Sequence, residues 1–200
     1  MPQTISRWTF TIVFSLLLMS CSSSYKSFEN DGSKELRAKL YQIETFQFNG
    51  KLGFRNSEEA FSVAINNWLQ DADKYQIELS SAFFGLGAIE LKGTAAWIEA
   101  NEPGQEPVRS DYPNYTIKEL LGSPLPIQRI RYWLRGIPAP QSKSQETLND
   151  QGLLSTLEQD GWTIHLDRYH DVSNLPLPGR IKIEQNDTRI TLVVAQWSIL

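Results

Sequence analysis

From Phe46 the chain alternates with a period of two: Phe46, Phe48, Leu52 and Phe54 are separated by Gln47, Asn49, Lys51 and Arg55, with Gly50 and Gly53 among them. That alternation predicts a strand buried on one face, and the glycines allow it to bend. Phe61, Val63 and Ile65 repeat the pattern until Asn66 and Asn67 shift the phase before Trp68, as a β-bulge does. Tyr75, Ile77 and Leu79 form the inner face of the next strand, Ile89 and Leu91 that of another, and a further strand runs through Ala95, Trp97 and Glu99. The strands follow one another closely, which favours antiparallel hairpins over crossovers. Two more hairpins close the chain: 153–159 and 162–169 around Asp160-Gly161, then 180–185 and 188–197 around Asn186-Asp187.

A helical period interrupts this pattern in three places. Ser33 can cap a helix to about Ile43, with Leu36, Leu40 and Ile43 on one stripe. After a loop from Asn101 to Pro113, a short helix from Tyr115 to Leu121 ends at Gly122. Another starts at Pro126, carries Ile127, Ile130, Trp133 and Leu134 on one face and Arg129, Arg131 and Arg135 on the other, and stops at Gly136 and Pro138. The arginines mark it as amphipathic, not as a buried core helix. The expected architecture is mainly β with helices: a large antiparallel sheet of about ten or eleven strands that curls into a barrel, with helices able to cover an open end.

One turn does not fit. Between two of these strands, Ser81 to Gly87 place Phe83, Phe84 and Leu86 around two glycines. Each large apolar side chain left outside a core forgoes about 1.5–3 kcal/mol of burial. Such a turn is either buried or meets an apolar surface.

The first twenty residues have the layout of a signal peptide, with Arg7 ahead of an apolar run from Trp8 to Leu18 that is short for a membrane span. Leu18-Met19-Ser20-Cys21 follows the pattern of a bacterial lipobox, in which the cysteine thiol receives a diacylglycerol before cleavage. Cys21 is the chain's one cysteine, so it has no partner within the chain for a disulfide. The expected organisation is a signal peptide at 1–20, a lipidated and flexible tether at 21–32, and a single domain at 33–200. Serine at position 22 suits sorting to the outer membrane, where an aspartate would favour retention at the inner one. The periplasmic face of the outer membrane is therefore the expected location.

The 200 residues carry a formal charge of -4 with no basic stripe, which argues against nucleic acid. No catalytic or metal-binding constellation emerges. His165 falls on the polar phase of its strand, His170 sits in no recognisable motif, the serines lack a G-x-S-x-G context, and zinc and calcium spacings are missing. What stands out is aromatic excess on inward phases: Phe46, Phe48, Phe54, Phe61, Tyr75, Trp97 and Trp162 on strands, joined by Ile130 and Trp133 from the helix. These residues either fill a solid core or line an apolar cavity suited to acyl chains, whose burial is worth about 0.8 kcal/mol per CH₂.

Taken in order, the lipobox at Cys21, FQFNGKLGF, GLGAIEL, LLGSPLPIQRIRYWLRGIP and RIKIEQNDTRITLVVAQWSI resemble the LolB family of outer-membrane lipoprotein receptors across the whole chain. The resemblance implies an incomplete antiparallel β-barrel with a helical lid over an apolar cavity. It implies a monomer that accepts triacylated lipoproteins from the periplasmic carrier LolA and places them in the inner leaflet of the outer membrane. It implies that no cofactor, metal or nucleotide takes part. It further implies that Leu86, matched through the L-G-x-x-E-L pattern, is the exposed leucine of a membrane-insertion loop that Phe83 and Phe84 share or fold beneath. A lipid or glycolipid carrier lipoprotein using the same cavity, or a structural envelope lipoprotein, are the alternatives.

Overall fold

The computed structural model describes residues 31–80, 88–121 and 125–200. Cys21, the signal segment, the turn bearing Phe83, Phe84 and Leu86, and Gly122 lie outside the described residues. In chain order the elements are α1 (Asp31–Gln42), β1 (Thr45–Arg55), β2 (Ala60–Asp71), β3 (Lys74–Ser80), β4 (Ala88–Gly93), β5 (Ile98–Asn101), β6 (Val108–Ser110), α2 (Pro113–Leu121) and α3 (Ile127–Trp133). They continue with β7 (Ser144–Leu148), β8 (Leu154–Gln159), β9 (Trp162–Asp167), β10 (His170–Val172), β11 (Leu175–Leu177), β12 (Arg180–Gln185) and β13 (Thr188–Ile199). Eleven strands form one sheet in the order β6-β5-β4-β3-β2-β1-β13-β12-β9-β8-β7, and β10 and β11 make a separate ribbon. The large sheet is antiparallel and does not close, since β6 and β7 remain its two edges.

The centre of the sheet is where first and last strands meet. β1 pairs with β2 on one side and with β13 on the other, and both ladders change register near Gly50. Phe48 faces Trp68 while Gly50 faces Ile65, so β2 holds one residue more than β1 over this interval. Asn49 faces Gln196 while Gly50 faces Val194, so β13 does the same. The bulge expected at Asn66 and Asn67 is present, and a second at Ala195 mirrors it across β1. Each extra residue turns the strand's phase, bringing Trp68 and Trp197 inward. There Phe48 stacks on Trp68 with centroids 5.4 Å apart and meets Trp197 at 4.9 Å, while Phe46 meets Trp197 at 5.6 Å. Gly50 lies within this bend, and a Cβ there would sit 2.1 Å from the Val193 carbonyl oxygen.

The helices pack over the apolar face of the sheet. Leu40 and Ile43 at the end of α1, Ile117 of α2, and Ile127, Ile130 and Trp133 of α3 join the core together with Leu134 and Ile137. α1 is tied to β7 by Arg37, whose guanidinium donates to both carboxylate oxygens of Glu146, one contact measuring 3.0 Å. Ser33 lies inside α1 and does not cap it, because the helix already begins at Asp31. Asp, Gly and Ser all begin helices readily, which leaves such a boundary open by two residues.

Arg135 corrects the expected solvent-facing arginine row of α3. It is 5% exposed, and its Nη1 donates to the carbonyl oxygens of Leu40 at 3.2 Å and Ile43 at the end of α1. Its Nε donates to the Arg131 carbonyl at 3.1 Å. Carbonyls at a helix C-terminus lack intrahelical partners, and a cation there suits both their hydrogen bonding and the helix dipole. Burial lowers the Arg135 pKa to about 10, still far above neutrality, so the group stays charged. Arg129 pairs with Asp160 at 2.6 Å and Arg131 donates to the Ala72 carbonyl at 2.6 Å.

Gly50→Ala should lower the unfolding free energy by about 2–3 kcal/mol in urea titration, because the clash is with backbone. Gly53→Ala, whose Cβ would lie 3.9 Å from the Thr191 carbonyl oxygen, should change it by less than about 1 kcal/mol. Arg135→Met should cost about 1–3 kcal/mol by stripping the α1 carbonyls of their donor, and hydrogen exchange should speed up in α1 more than in β1 or β13.

Candidate functional site

The feature that stands out as a site is the inner face of the open sheet. Its side chains come from the inward phase of successive strands: Phe46, Phe48, Leu52 and Phe54 on β1, Val63, Ile65 and Trp68 on β2, Tyr75 and Ile77 on β3. Ile181 and Ile183 of β12, with Ile190, Leu192 and Val194 of β13, continue it on the other side of β1. The result is one contiguous apolar surface roofed by α3.

Of the residues expected to face inward, Phe46, Phe48, Phe54, Tyr75, Ile130, Trp133 and Trp162 are buried in this cluster. Phe61 is partly buried and stacks on Phe54 with centroids 4.9 Å apart. Trp97 departs from the expectation. The pairing of Gly93 with Ile98, and of Leu91 with Ala100, puts Ile98 and Ala100 on the inner face and turns Trp97 and Glu99 outward. The turn from Thr94 to Trp97, closed by a bond from the Thr94 amide to the Trp97 carbonyl, sets this register. A slip of one residue in a strand exchanges its faces, which is why reading Ala95, Trp97 and Glu99 as the strand phase misplaced the tryptophan. Trp97 instead packs beneath Arg109, whose guanidinium lies 4.2 Å from the ring centroid.

Buried polar side chains fix the roof. Gln159, at the end of β8, is 2% exposed and bonds in four directions. Its Oε1 accepts from the Trp133 indole and the Ala139 amide, both at 2.9 Å, while its Nε2 donates to the Ala139 carbonyl and the Ser142 hydroxyl, both at 2.8 Å. α3 and the segment after it are thereby fastened to β8. Gln70 does similar work at the other end, its Nε2 donating to the Ala72 and Lys74 carbonyls. Both glutamines follow a large apolar residue on the inward phase, Leu157 or Trp68. A polar residue on an apolar phase was the available signal for them.

The ionisable groups make a different pattern. His165 is exposed on β9, 3.3 Å from the Thr156 hydroxyl and 3.8 Å from Glu184, in a surface ladder of charged side chains. Among the described residues no group of three or more His, Cys, Asp or Glu is placed to hold a metal ion. Burial raises the Tyr75 hydroxyl pKa to about 12 and raises that of Tyr169 as well, so both rings are neutral at physiological pH. The described inner face is thus apolar, with a neutral phenol among its side chains.

Comparison with known proteins agrees with this outline. The model of the family described as "Outer membrane lipoprotein LolB" matches residues 44–197. The outer-membrane lipoprotein LolB of Cellvibrio japonicus is 35% identical over 187 residues, covering 91% of each chain. That of Pseudomonas aeruginosa is 34% identical over 187 residues, covering 90% of each. Among solved structures, a LolA superfamily protein from Nitrosomonas europaea shares the fold with a TM-score of 0.51 at 11% identity, over 84% of this chain and 93% of that one. A DUF1329 family protein from Desulfovibrio piger does so with a TM-score of 0.53 at 5% identity, over 84% and 92%. The inner apolar face, its helical roof and these matches agree: the chain belongs to the LolB family of outer-membrane lipoproteins.

Proposed function

We propose that this protein accepts triacylated lipoproteins from the periplasmic carrier LolA, holds their acyl chains against the inner face of the sheet, and releases them into the inner leaflet of the outer membrane. The observation that carries the reading is the contiguous apolar face inside an unclosed sheet, roofed by helices that hydrogen-bond to it through a few side chains. Exchange of cargo needs no chemical step. It needs affinity for acyl chains above the donor's and below the membrane's, and each buried CH₂ contributes about 0.8 kcal/mol to whichever compartment holds it.

Two segments outside the described residues complete the proposal. Cys21, lipidated, anchors the domain on the periplasmic face, and the residues from 21 to 30 tether it to α1. Leu86, with Phe83 and Phe84, meets the bilayer. Ser80 and Ala88 are paired partners at the ends of β3 and β4, so these residues join two adjacent strand ends.

Leu86→Glu should leave the Tm and cargo acceptance unchanged and reduce insertion into liposomes at least tenfold. Normal insertion by that variant would remove the loop from the account. Cys21→Ala should move the protein from the membrane to the soluble periplasmic fraction, and unchanged fractionation would refute lipidation at this residue.

A further inference from the structure

Three side-chain atoms among the described residues are buried without a hydrogen-bond partner: the Tyr75 hydroxyl, Gln128 Nε2 and Arg131 Nε. Gln128 and Arg131 are themselves half-buried, whereas Tyr75 is 4% exposed and belongs to the apolar cluster. An unmet hydroxyl in apolar surroundings costs about 1–3 kcal/mol, so its presence on an acyl-binding face calls for a reason.

The geometry lays this ring, buried on the inward phase of β3, across the neighbouring strand. Tyr75 opens the inward phase of β3 and pairs with Gly93 of β4, and its ring lies across that glycine. A Cβ on Gly93 would sit 2.4 Å from the Trp97 carbonyl oxygen, 2.6 Å from the hydroxyl oxygen and 3.0 Å from Cζ, so the glycine makes the space that the ring occupies. Gln70, the cross-strand neighbour on β2, has its amide committed to the Ala72 and Lys74 carbonyls and its oxygen to the Trp68 indole, and gives nothing to the phenol. On the other side, Ile98 is the partner of Gly93. The phenol therefore reaches over the Gly93 backbone toward the Trp97 carbonyl oxygen without bonding to it, and is a buried neutral donor whose ionisation is suppressed by burial.

We infer that the Tyr75 hydroxyl is a polar anchor for cargo, donating a hydrogen bond to an acyl-ester carbonyl of the bound lipid. The inference rests on the acyl-binding reading given above. An ester is the group that adjoins the alkyl chains of a diacylglyceryl moiety, and it offers an acceptor with no charge to desolvate. A carbonyl held at Tyr75 leaves its chain to run along Ile77 and Leu79 of β3 and Leu91 and Ile89 of β4. That path is roughly 13 Å along the strand and leads toward the β3–β4 connection bearing Leu86. The anchor thus gives the cargo a direction, with its tails toward the membrane-contacting end.

The test compares a synthetic diacylglyceryl lipopeptide with its dialkyl-ether counterpart of equal chain length, binding each to the wild-type domain and to Tyr75→Phe. Wild type should prefer the ester by about five- to tenfold, the worth of one neutral hydrogen bond. Tyr75→Phe should bind the ether as wild type does and bind the ester no better. The ligand-free variant should melt at the same temperature as wild type or higher, because it loses an unmet group. An ester preference retained in Tyr75→Phe, no preference in wild type, or a fall of several degrees in the variant's Tm would each overturn the inference. Failure of wild type to bind either lipid would refute the acyl-chain reading itself. A diacyl and dialkyl phospholipid pair separates the sources: discrimination there as well assigns recognition to the ester in any lipid, and discrimination confined to the lipopeptide assigns it to lipoprotein cargo.

Discussion

The curvature of this protein depends on two extra residues placed on either side of one glycine. Where β1 passes Asn49 and Gly50, β2 and β13 each carry one residue more than β1, and the sheet bends there on both flanks. The bulges also decide what lies inside. Beyond them, Trp68 and Trp197 point toward Phe46 and Phe48, whereas an unbroken alternation would have left both indoles in solvent. Gly50 is the residue that lets the Val193 carbonyl approach so closely. Because β1 and β13 lie near opposite ends of the described chain, their pairing also joins β2–β6 and β7–β9 with β12 into one sheet.

A curled apolar face must be covered, and the cover is attached by polar groups. Gln159 fastens α3 to β8, Arg135 joins α3 to the end of α1, and Arg37 joins α1 to β7. Each such bond contributes about 1 kcal/mol net while leaving no partner of the clasp unsatisfied. Under the proposed function an alkyl chain entering beneath the roof replaces apolar contacts that Ile127, Ile130 and Trp133 make with the sheet, while the polar clasps keep the helices attached.

Much of this was legible in the sequence because period-two patterning is strong where one face is buried. The strands around Phe46, Val63 and Ile77, the bulge at Asn66 and Asn67, and the Asp160-Gly161 hairpin fall where the alternation put them. The short strands did not declare themselves. β6 and β7 are mainly polar or exposed edges, and β10–β11 turns at Ser173-Asn174, both with positive φ, without the glycine that usually marks such a turn. Trp97 was misplaced because an aromatic residue near a strand start fits either phase, and pairing with β4 decides between them. Arg135 bonds to backbone carbonyls on α1 that spacing does not reveal, and Gln159, hinted at by a polar residue on an apolar phase, finds the Trp133 indole, the Ala139 backbone and the Ser142 hydroxyl only once α3 is packed against β8. Tyr75 read as one inward aromatic among several; its unmet hydroxyl is visible only once the neighbouring strands and Gly93 are in place.

Under the proposed function, cargo moves from carrier to this protein because its acyl chains are held better here. Mixing the mature domain with LolA carrying a lipoprotein labelled in its acyl chains, without nucleotide or added metal, tests this most directly. The account predicts that the label leaves the carrier and co-elutes with this domain. Label that stays on the carrier in the presence of excess domain would contradict it.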